Sequence, residues 1–286
     1  MIPRMNIIAW GNVVPWADLR QVEQDLVISR ALVELFSSPG LAGQLRFRGG
    51  TALNKLHFPQ PLRYSEDIDL VRTETGPVGP VLDAIREALE PWLGRAGFAP
   101  SATAPKLRFR VDAEDPTVGA PIRLKIEINT RETKAFDPPV SIPFAVENPW
   151  FSGVADIPTF STEEIFATKL RALLQRNKGR DLFDLHHGLR TFEGLDRVRV
   201  VEGLVFYLET SGMRISRAEA QQRMFAKLAN PAFLTDMRPL VSVEHAESLD
   251  EDSTKEAFRR VLRELIDLIP GEDWARTPDM IERFAI

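Results

Sequence analysis

Cysteine is absent from this 286-residue chain. A disulfide framework, a Cys-based zinc site and a thiol nucleophile are therefore all excluded, and the absence fits a reducing compartment. Long apolar runs are missing too: no stretch approaches the ~20 consecutive apolar residues that span a membrane. The start, Met1-Ile2-Pro3-Arg4-Met5-Asn6, is too short and too soon interrupted for a signal peptide. The chain reads as cytoplasmic, with no membrane partner. Excess positive charge is lacking as well. A net charge of −5 argues against wholesale electrostatic capture of nucleic acid, although a local basic patch could still supply it. There is no internal repeat and no low-complexity tract. What remains is 44% hydrophobic and 27% charged, ordinary for a globular protein with one large or two small domains.

Apolar residues recur at three and four from Trp16 to Ser37 (Leu19, Val22, Leu26, Val27, Ala31, Leu32, Leu35), predicting a helix stopped by Ser38-Pro39-Gly40. A short strand over Leu45-Arg46-Phe47 and a second over Asp67 to Val71 follow, then a helix from about Val78 to Leu93. Two runs alternate strictly, Lys106–Val111 and Ile122–Asn129, and read as half-buried strands joined through Asp115-Pro116 and Gly119. Residues 136–160 are rich in proline and aromatics and read as an irregular linker holding at most one strand. From Ser161 the pattern turns helical, opening on the capping box Ser161-Thr162-Glu163-Glu164. Helices are expected over 162–176, from Asp181, and over roughly 196–211, 216–229, 253–268 and 278–284. An α/β unit over 1–160 and an all-helical unit over 161–286 follow from this change of character.

The chemistry concentrates between Arg48 and Val71. Gly49-Gly50-Thr51 opens a short helix and offers bare backbone N–H groups, a ready anion site. Asp67 and Asp69 are two residues apart on a strand and project to one face, while Ile68 and Leu70 face a core. Two carboxylates that close call for a hard divalent cation, Mg²⁺ or Mn²⁺. A phosphate cradle beside a paired-carboxylate metal site is what nucleotidyl transfer requires.

Glu127 lies on the polar face of the best-patterned strand, with Lys125 and Asn129. Beside the Asp67/Asp69 strand it would complete a cage for one or two ions; otherwise it pairs with Arg123 or Lys125 on a solvated face. Between Lys169 and Arg180 stand five basic residues and no acidic one: Lys169, Arg171, Arg176, Lys178 and Arg180. They form either a solvated face or a phosphate-binding one. Asp181 and Asp184 share a helix face. His186 and His187, before Gly188, read as capping or packing residues near a helix end; His57 and His245 receive no role. The five tryptophans are scattered and read as core.

With these elements placed, the chain resembles the AbiEii/AbiGii nucleotidyltransferase toxin family, which includes the mycobacterial MenT toxins. The resemblance rests on Arg48-Gly-Gly-Thr-Ala-Leu53, Arg63-Tyr-Ser-Glu-Asp-Ile-Asp69, Lys125-Ile-Glu-Ile128, Glu164 to Leu170, and Arg180-Asp-Leu-Phe-Asp184, in the family's order over about residues 45 to 190. It implies an α+β fold: a polymerase β-like mixed sheet with flanking helices, plus a helical C-terminal domain. It implies that Arg48, Gly49, Gly50, Thr51, Ser65, Lys169, Arg176 and Arg180 bind the NTP. Asp67, Asp69 and Glu127 would hold metal, Glu127 standing where much of the superfamily has aspartate. Asp67, Asp69, Lys169 and Asp184 would be catalytic, Asp184 as an orienter or base supported by Asp181. The implied acceptor is the 3′ end of tRNA, the outcome a block on translation, and the partner a cognate antitoxin. A protein or small-molecule acceptor, and a binding module without activity, remain as alternatives.

Overall fold

The computed structural model describes residues 2–114, 121–230, 233, 238–241 and 250–286. The expected connection at Asp115-Pro116 and Gly119, and His245, lie outside them. The chain divides into two units, Met1–Phe160 and Ser161–Ile286.

In the first unit the strands are β1 Leu45–Arg48, β2 Asp67–Arg72, β3 Gly97–Ala99, β4 Lys106–Val111, β5 Ile122–Asn129, β6 Val140–Asn148 and β7 Phe151–Thr159. They form one mixed sheet in the order β3-β4-β5-β2-β1-β7-β6. The β2–β5 and β1–β7 pairs are parallel and the others antiparallel. Period-two alternation sends Leu107, Phe109, Leu124, Ile126, Ile128, Ile68 and Leu70 to one face, where all are buried. Each fully buried side chain of this size contributes about 1.5–3 kcal/mol. Helices α1 Arg4–Trp10, α2 Leu19–Phe36, α3 Pro39–Gln44 and α5 Gly79–Leu93 flank the sheet, and α2 packs against β5, β6 and β7. Helix α4, Gly49–Ala52, leads into a π-helical turn, Leu53–His57.

One expectation is overturned here. Residues 136–160 are not a linker but the β6–β7 hairpin, nine residues a side. Pro143 lies on β6, an edge strand of the sheet, where proline is tolerated. Asn148 Oδ1 accepts the Trp150 N–H at 2.9 Å and closes the turn around Pro149. Pro158, by contrast, lies on the interior strand β7 opposite Ser141, one residue from the strand's end.

The tryptophans also divide. Trp10 and Trp16 are buried, whereas Trp92 and Trp150 are half-buried and hold the Arg30 guanidinium 4.1 and 4.7 Å from their ring centres.

The second unit is helical: α6 Thr162–Gln175, α7 Gly179–Thr191, α8 Arg197–Thr210, α9 Arg217–Leu228, and further helices at Glu251–Glu264 and Thr277–Phe284. Ser161 caps α6 by accepting the Glu164 N–H at 3.1 Å. Gly188, expected near a helix end, lies in the last turn of α7, which ends at Thr191. A Cβ there would stand 1.8 Å from Phe166 Cζ, so the glycine also marks a close helix–helix approach. Burial lowers the imidazole pKa of both His186 and His57 to about 4, so both are neutral at pH 7.

Candidate active site

Strand pairing assembles the centre of the first unit. In the β2–β5 ladder Asp67 stands opposite Lys125 and Asp69 opposite Glu127; in the β1–β2 ladder Arg48 stands opposite Asp69. Directly opposed residues share a face. Asp67, Asp69, Glu127, Lys125 and Arg48 therefore occupy one side of three adjacent strands.

The lysines decide how the acids sit. Lys125 Nζ lies 2.8 Å from Asp67 Oδ2 and 3.6 Å from Glu127 Oε2, and Lys106 Nζ lies 3.2 Å from Glu127 Oε2. Glu127 thus combines both positions open to it in the sequence, beside the acidic strand and paired with a lysine. Burial, and then the neighbouring Asp67 charge, raise the Asp69 pKa; Arg48 and Lys125 oppose this and Glu127 reinforces it. For Lys125, burial pulls the pKa down, but the hydrogen bond to Asp67 and the three acidic charges outweigh it and raise it. The charge between the carboxylates is supplied here by one ammonium.

That donor set fits a hard cation: carboxylate oxygens on one face, one of them destabilised by its own ionisation. Asp67 and Asp69 are the natural holders, and a cation would take the place of Lys125 Nζ beside Asp67. As the side chains stand, no three carboxylate or imidazole groups among the described residues are gathered closely enough to enclose an ion. Lys106 and Lys125 draw Glu127 aside.

The Gly-Gly turn abuts this cluster. Gly49 has φ +84°, and a Cβ on it would lie 2.4 Å from Asp69 Oδ2. A Cβ on Gly50 would lie 2.6 Å from Arg63 Nη2. Both glycines are required where backbone approaches charged side chains this closely. Thr51 is buried; its hydroxyl bonds the Asp67 carbonyl and lies 2.8 Å from Ser65 Oγ. The Thr51 hydroxyl is therefore occupied in fixing the start of β2, leaving backbone N–H groups as its offering to an anion.

Most of the supporting residues carry no local signal in the sequence. Arg63 is buried, with Nη1 donating to the Tyr64 carbonyl at 3.1 Å. Asn54 Oδ1 accepts the N–H groups of Leu62 and Arg63 at 2.9 and 3.1 Å, while its Nδ2 donates to the Gly50 carbonyl at 2.9 Å. Glu132 holds Arg48 Nη1 at 2.6 Å. Lys55 Nζ lies 2.9 Å from buried Asp25, which also accepts the indole N–H groups of Trp10 and Trp16 at 2.9 and 3.2 Å. Only Arg63 lies inside a recognisable motif; the others depend on long-range packing.

The second unit contains a separate charged cluster. Lys169, Asp181 and Asp184 are buried, with Lys169 Nζ 3.2 Å from Asp181 Oδ1 and 2.7 Å from Asp184 Oδ2. Arg176 grips Asp181 with Nε and Nη2, at 2.7 and 2.8 Å. Burial pushes the Asp181 carboxyl up, but the Lys169 charge and the Arg176 bonds prevail and lower it. The basic run is therefore no uniform solvated face. Lys169 turns inward, Arg171 lies 5.0 Å over the Tyr207 ring, and Lys178 is exposed. Half-buried Arg180 has no ion pair or hydrogen bond to the cluster among the described residues.

Comparison with known proteins agrees with this layout. The family described as "Nucleotidyl transferase AbiEii toxin, Type IV TA system" matches residues 30–280. No curated protein matches the chain. Among solved structures, MenT4, a nucleotidyltransferase toxin from Mycobacterium tuberculosis, is 16% identical with a TM-score of 0.54, covering 94% of this chain and 100% of that one. JHP933 from Helicobacter pylori is 17% identical with a TM-score of 0.54, covering 87% and 94%. At these identities the likeness is one of fold: a mixed sheet with flanking helices, α+β.

Proposed function

The chain belongs to the AbiEii family of nucleotidyl transferase toxins of toxin–antitoxin systems, and on that premise we propose that it transfers a nucleotide from an NTP to the 3′ end of tRNA. The reaction is Mg²⁺-dependent, blocks translation, and is restrained by a cognate antitoxin. The observation that carries the reading is the ladder placing Asp67 and Asp69 beside Lys125 and Glu127, at the mouth of the Gly49-Gly50 turn.

In this reading the acceptor hydroxyl oxygen attacks the α-phosphorus and the bond from that phosphorus to the bridging oxygen of the β-phosphate breaks. Pyrophosphate leaves, and the hydroxyl proton passes to a carboxylate of the cluster. Asp67 and Asp69 would hold the cation, and Glu127 would join them as third ligand on leaving Lys106 and Lys125. When bound, Mg²⁺ neutralises the charge that develops on the attacking and leaving oxygens. Gly49 and Gly50 let backbone N–H groups approach the triphosphate, and Arg48, tethered to Glu132, adds positive charge beside it. Thr51 and Ser65 fix the strand that carries the aspartates. Within the second unit, Asp181 and Asp184 orient the buried Lys169 ammonium and Arg176 braces Asp181. Positioning and charge neutralisation supply the catalysis; loss of one such stabilising group is worth about 10²–10³ in rate.

The test is incubation of the full chain with total tRNA, Mg²⁺ and each α-labelled NTP in turn, with and without EDTA. Label on tRNA that EDTA abolishes is the expected result. Label on protein alone would replace tRNA by a protein acceptor, which the −5 net charge favours. No label on either acceptor contradicts the proposal.

A further inference from the structure

On the polar face of the sheet, β4 presents Lys106, Arg108 and Arg110, and β5 presents Arg123 and Lys125. The register sets Arg108 opposite Lys125 and Arg110 opposite Arg123. Like charges directly opposed across two strands cost stability. Basic residues often guard open sheet edges, but β4 and β5 are both interior strands. Lys106 and Lys125 reach Glu127 and Asp67. Arg108, Arg110 and Arg123 are exposed and have no carboxylate within ion-pair reach among the described residues. In a chain of net charge −5 this concentration runs against the overall balance.

The strip leads into the candidate site, since Lys125 is the ladder partner of Asp67 on the next strand. Neighbours along a strand on one face lie about 6.8 Å apart, and strands about 4.8 Å apart. Guanidinium groups at such spacing suit successive phosphates, which they grip in bidentate fashion. The nucleotide's own triphosphate is a poor occupant. The Gly49 turn follows β1, three strand spacings from β4 in the order β4-β5-β2-β1, or roughly 14 Å.

We infer that Arg108, Arg110 and Arg123 form a track for the phosphate backbone of the RNA acceptor, holding the strand whose 3′ end reacts at Asp67 and Asp69. This rests on the reading that the acceptor is RNA. The three side chains stand on the solvent face, so their replacement leaves the apolar face of both strands unchanged.

The experiment uses the full chain, the variant R108Q/R110Q/R123Q and the charge-preserving variant R108K/R110K/R123K, all checked for matching thermal melts. Binding of fluorescein-labelled tRNA is measured without NTP from about 50 to 200 mM salt, and KM is measured for tRNA and for NTP. Each phosphate neutralised contributes about 0.7–0.9 to the slope of log affinity against log salt. The glutamine variant is expected to lose about 2–3 from that slope and at least tenfold in tRNA affinity at low salt. The lysine variant should retain the slope and most of the affinity, losing only the bidentate grip, and the KM for NTP should not change. Unchanged tRNA affinity and slope in the glutamine variant would overturn the track, as would an equal loss of NTP binding. If wild type labels tRNA and the glutamine variant does so at the same KM, the track falls while the transferase reading stands. If wild type binds tRNA through the strip but labels none, the track stands and that reading falls.

Discussion

Gly49 is the position where fold and chemistry meet most closely, and Gly49→Ala separates this arrangement from a looser one. Two costs add. At φ +84° an alanine occupies the left-handed region, which costs a residue with a Cβ about 1–2 kcal/mol. Its methyl group would also stand 2.4 Å from Asp69 Oδ2, so the carboxylate must leave its rotamer at a further cost of about 0.5–1.5 kcal/mol. The sum, roughly 1.5–3.5 kcal/mol, corresponds to a fall in Tm of about 3–14 °C for a unit of this size. Gly79 is the control. It opens α5 with no positive φ and nothing within 4 Å of an added methyl group, so Gly79→Ala meets only the mild pre-proline restriction of Pro80 and should shift Tm far less than Gly49→Ala. Calorimetry on both variants, with labelled-NTP transfer measured in parallel, checks the pair. An unshifted Tm in Gly49→Ala would refute the packing of the glycine on Asp69, and unimpaired transfer would refute its place in the site.

Further outcomes follow from the same contacts. Asp69→Asn should abolish transfer yet stabilise the fold at neutral pH. Its raised pKa means that ionisation costs stability as pH climbs from the ordinary 3.8 through the folded value; no gain in Tm at neutral pH counts against this. Asp181 has the opposite sign. Its lowered pKa contributes stability above the ordinary 3.8, lost as pH falls through the folded value. Asp181→Asn should therefore lower Tm at neutral pH and flatten its acid dependence in a pH series of melts. Lys169→Ala leaves Asp181 and Asp184 buried without their shared cation, at a cost of about 3–5 kcal/mol; denaturant unfolding reads this directly. Gly188→Ala forces a methyl into the Phe166 ring and should cost at least about 1–3 kcal/mol, seen as a lower midpoint in the same assay.

The sequence reveals an element wherever one local pattern suffices. Alternation over Ile122–Asn129 and helical spacing over Leu19–Phe36 mark real elements, and the Ser161 capping box marks a real helix start. The β6–β7 hairpin escapes because proline is read as a breaker, and only the sheet order reveals that Pro143 lies on an edge. Gly188 sits near a helix end as its position suggests, but its contact with the Phe166 ring shows only once a second helix is packed against it. At the site, Asp67 and Asp69 are legible because their spacing is local. The Lys125–Asp67 and Arg48–Glu132 pairs are not, because they depend on which strands adjoin and on the turn at Asn129, whose side chain accepts the N–H groups of Arg131 and Glu132.

The most direct test of nucleotidyl transfer from the Asp67/Asp69 site compares wild type with Asp67→Ala and Asp69→Ala. All three are given tRNA, Mg²⁺ and the α-labelled NTP that wild type uses best, and both variants are first shown to be folded by their melts. Label on tRNA from wild type, reduced at least about 10²-fold in each variant, is the expected result. Wild-type labelling by either folded variant would contradict it, because the chemistry would then lie elsewhere in the chain.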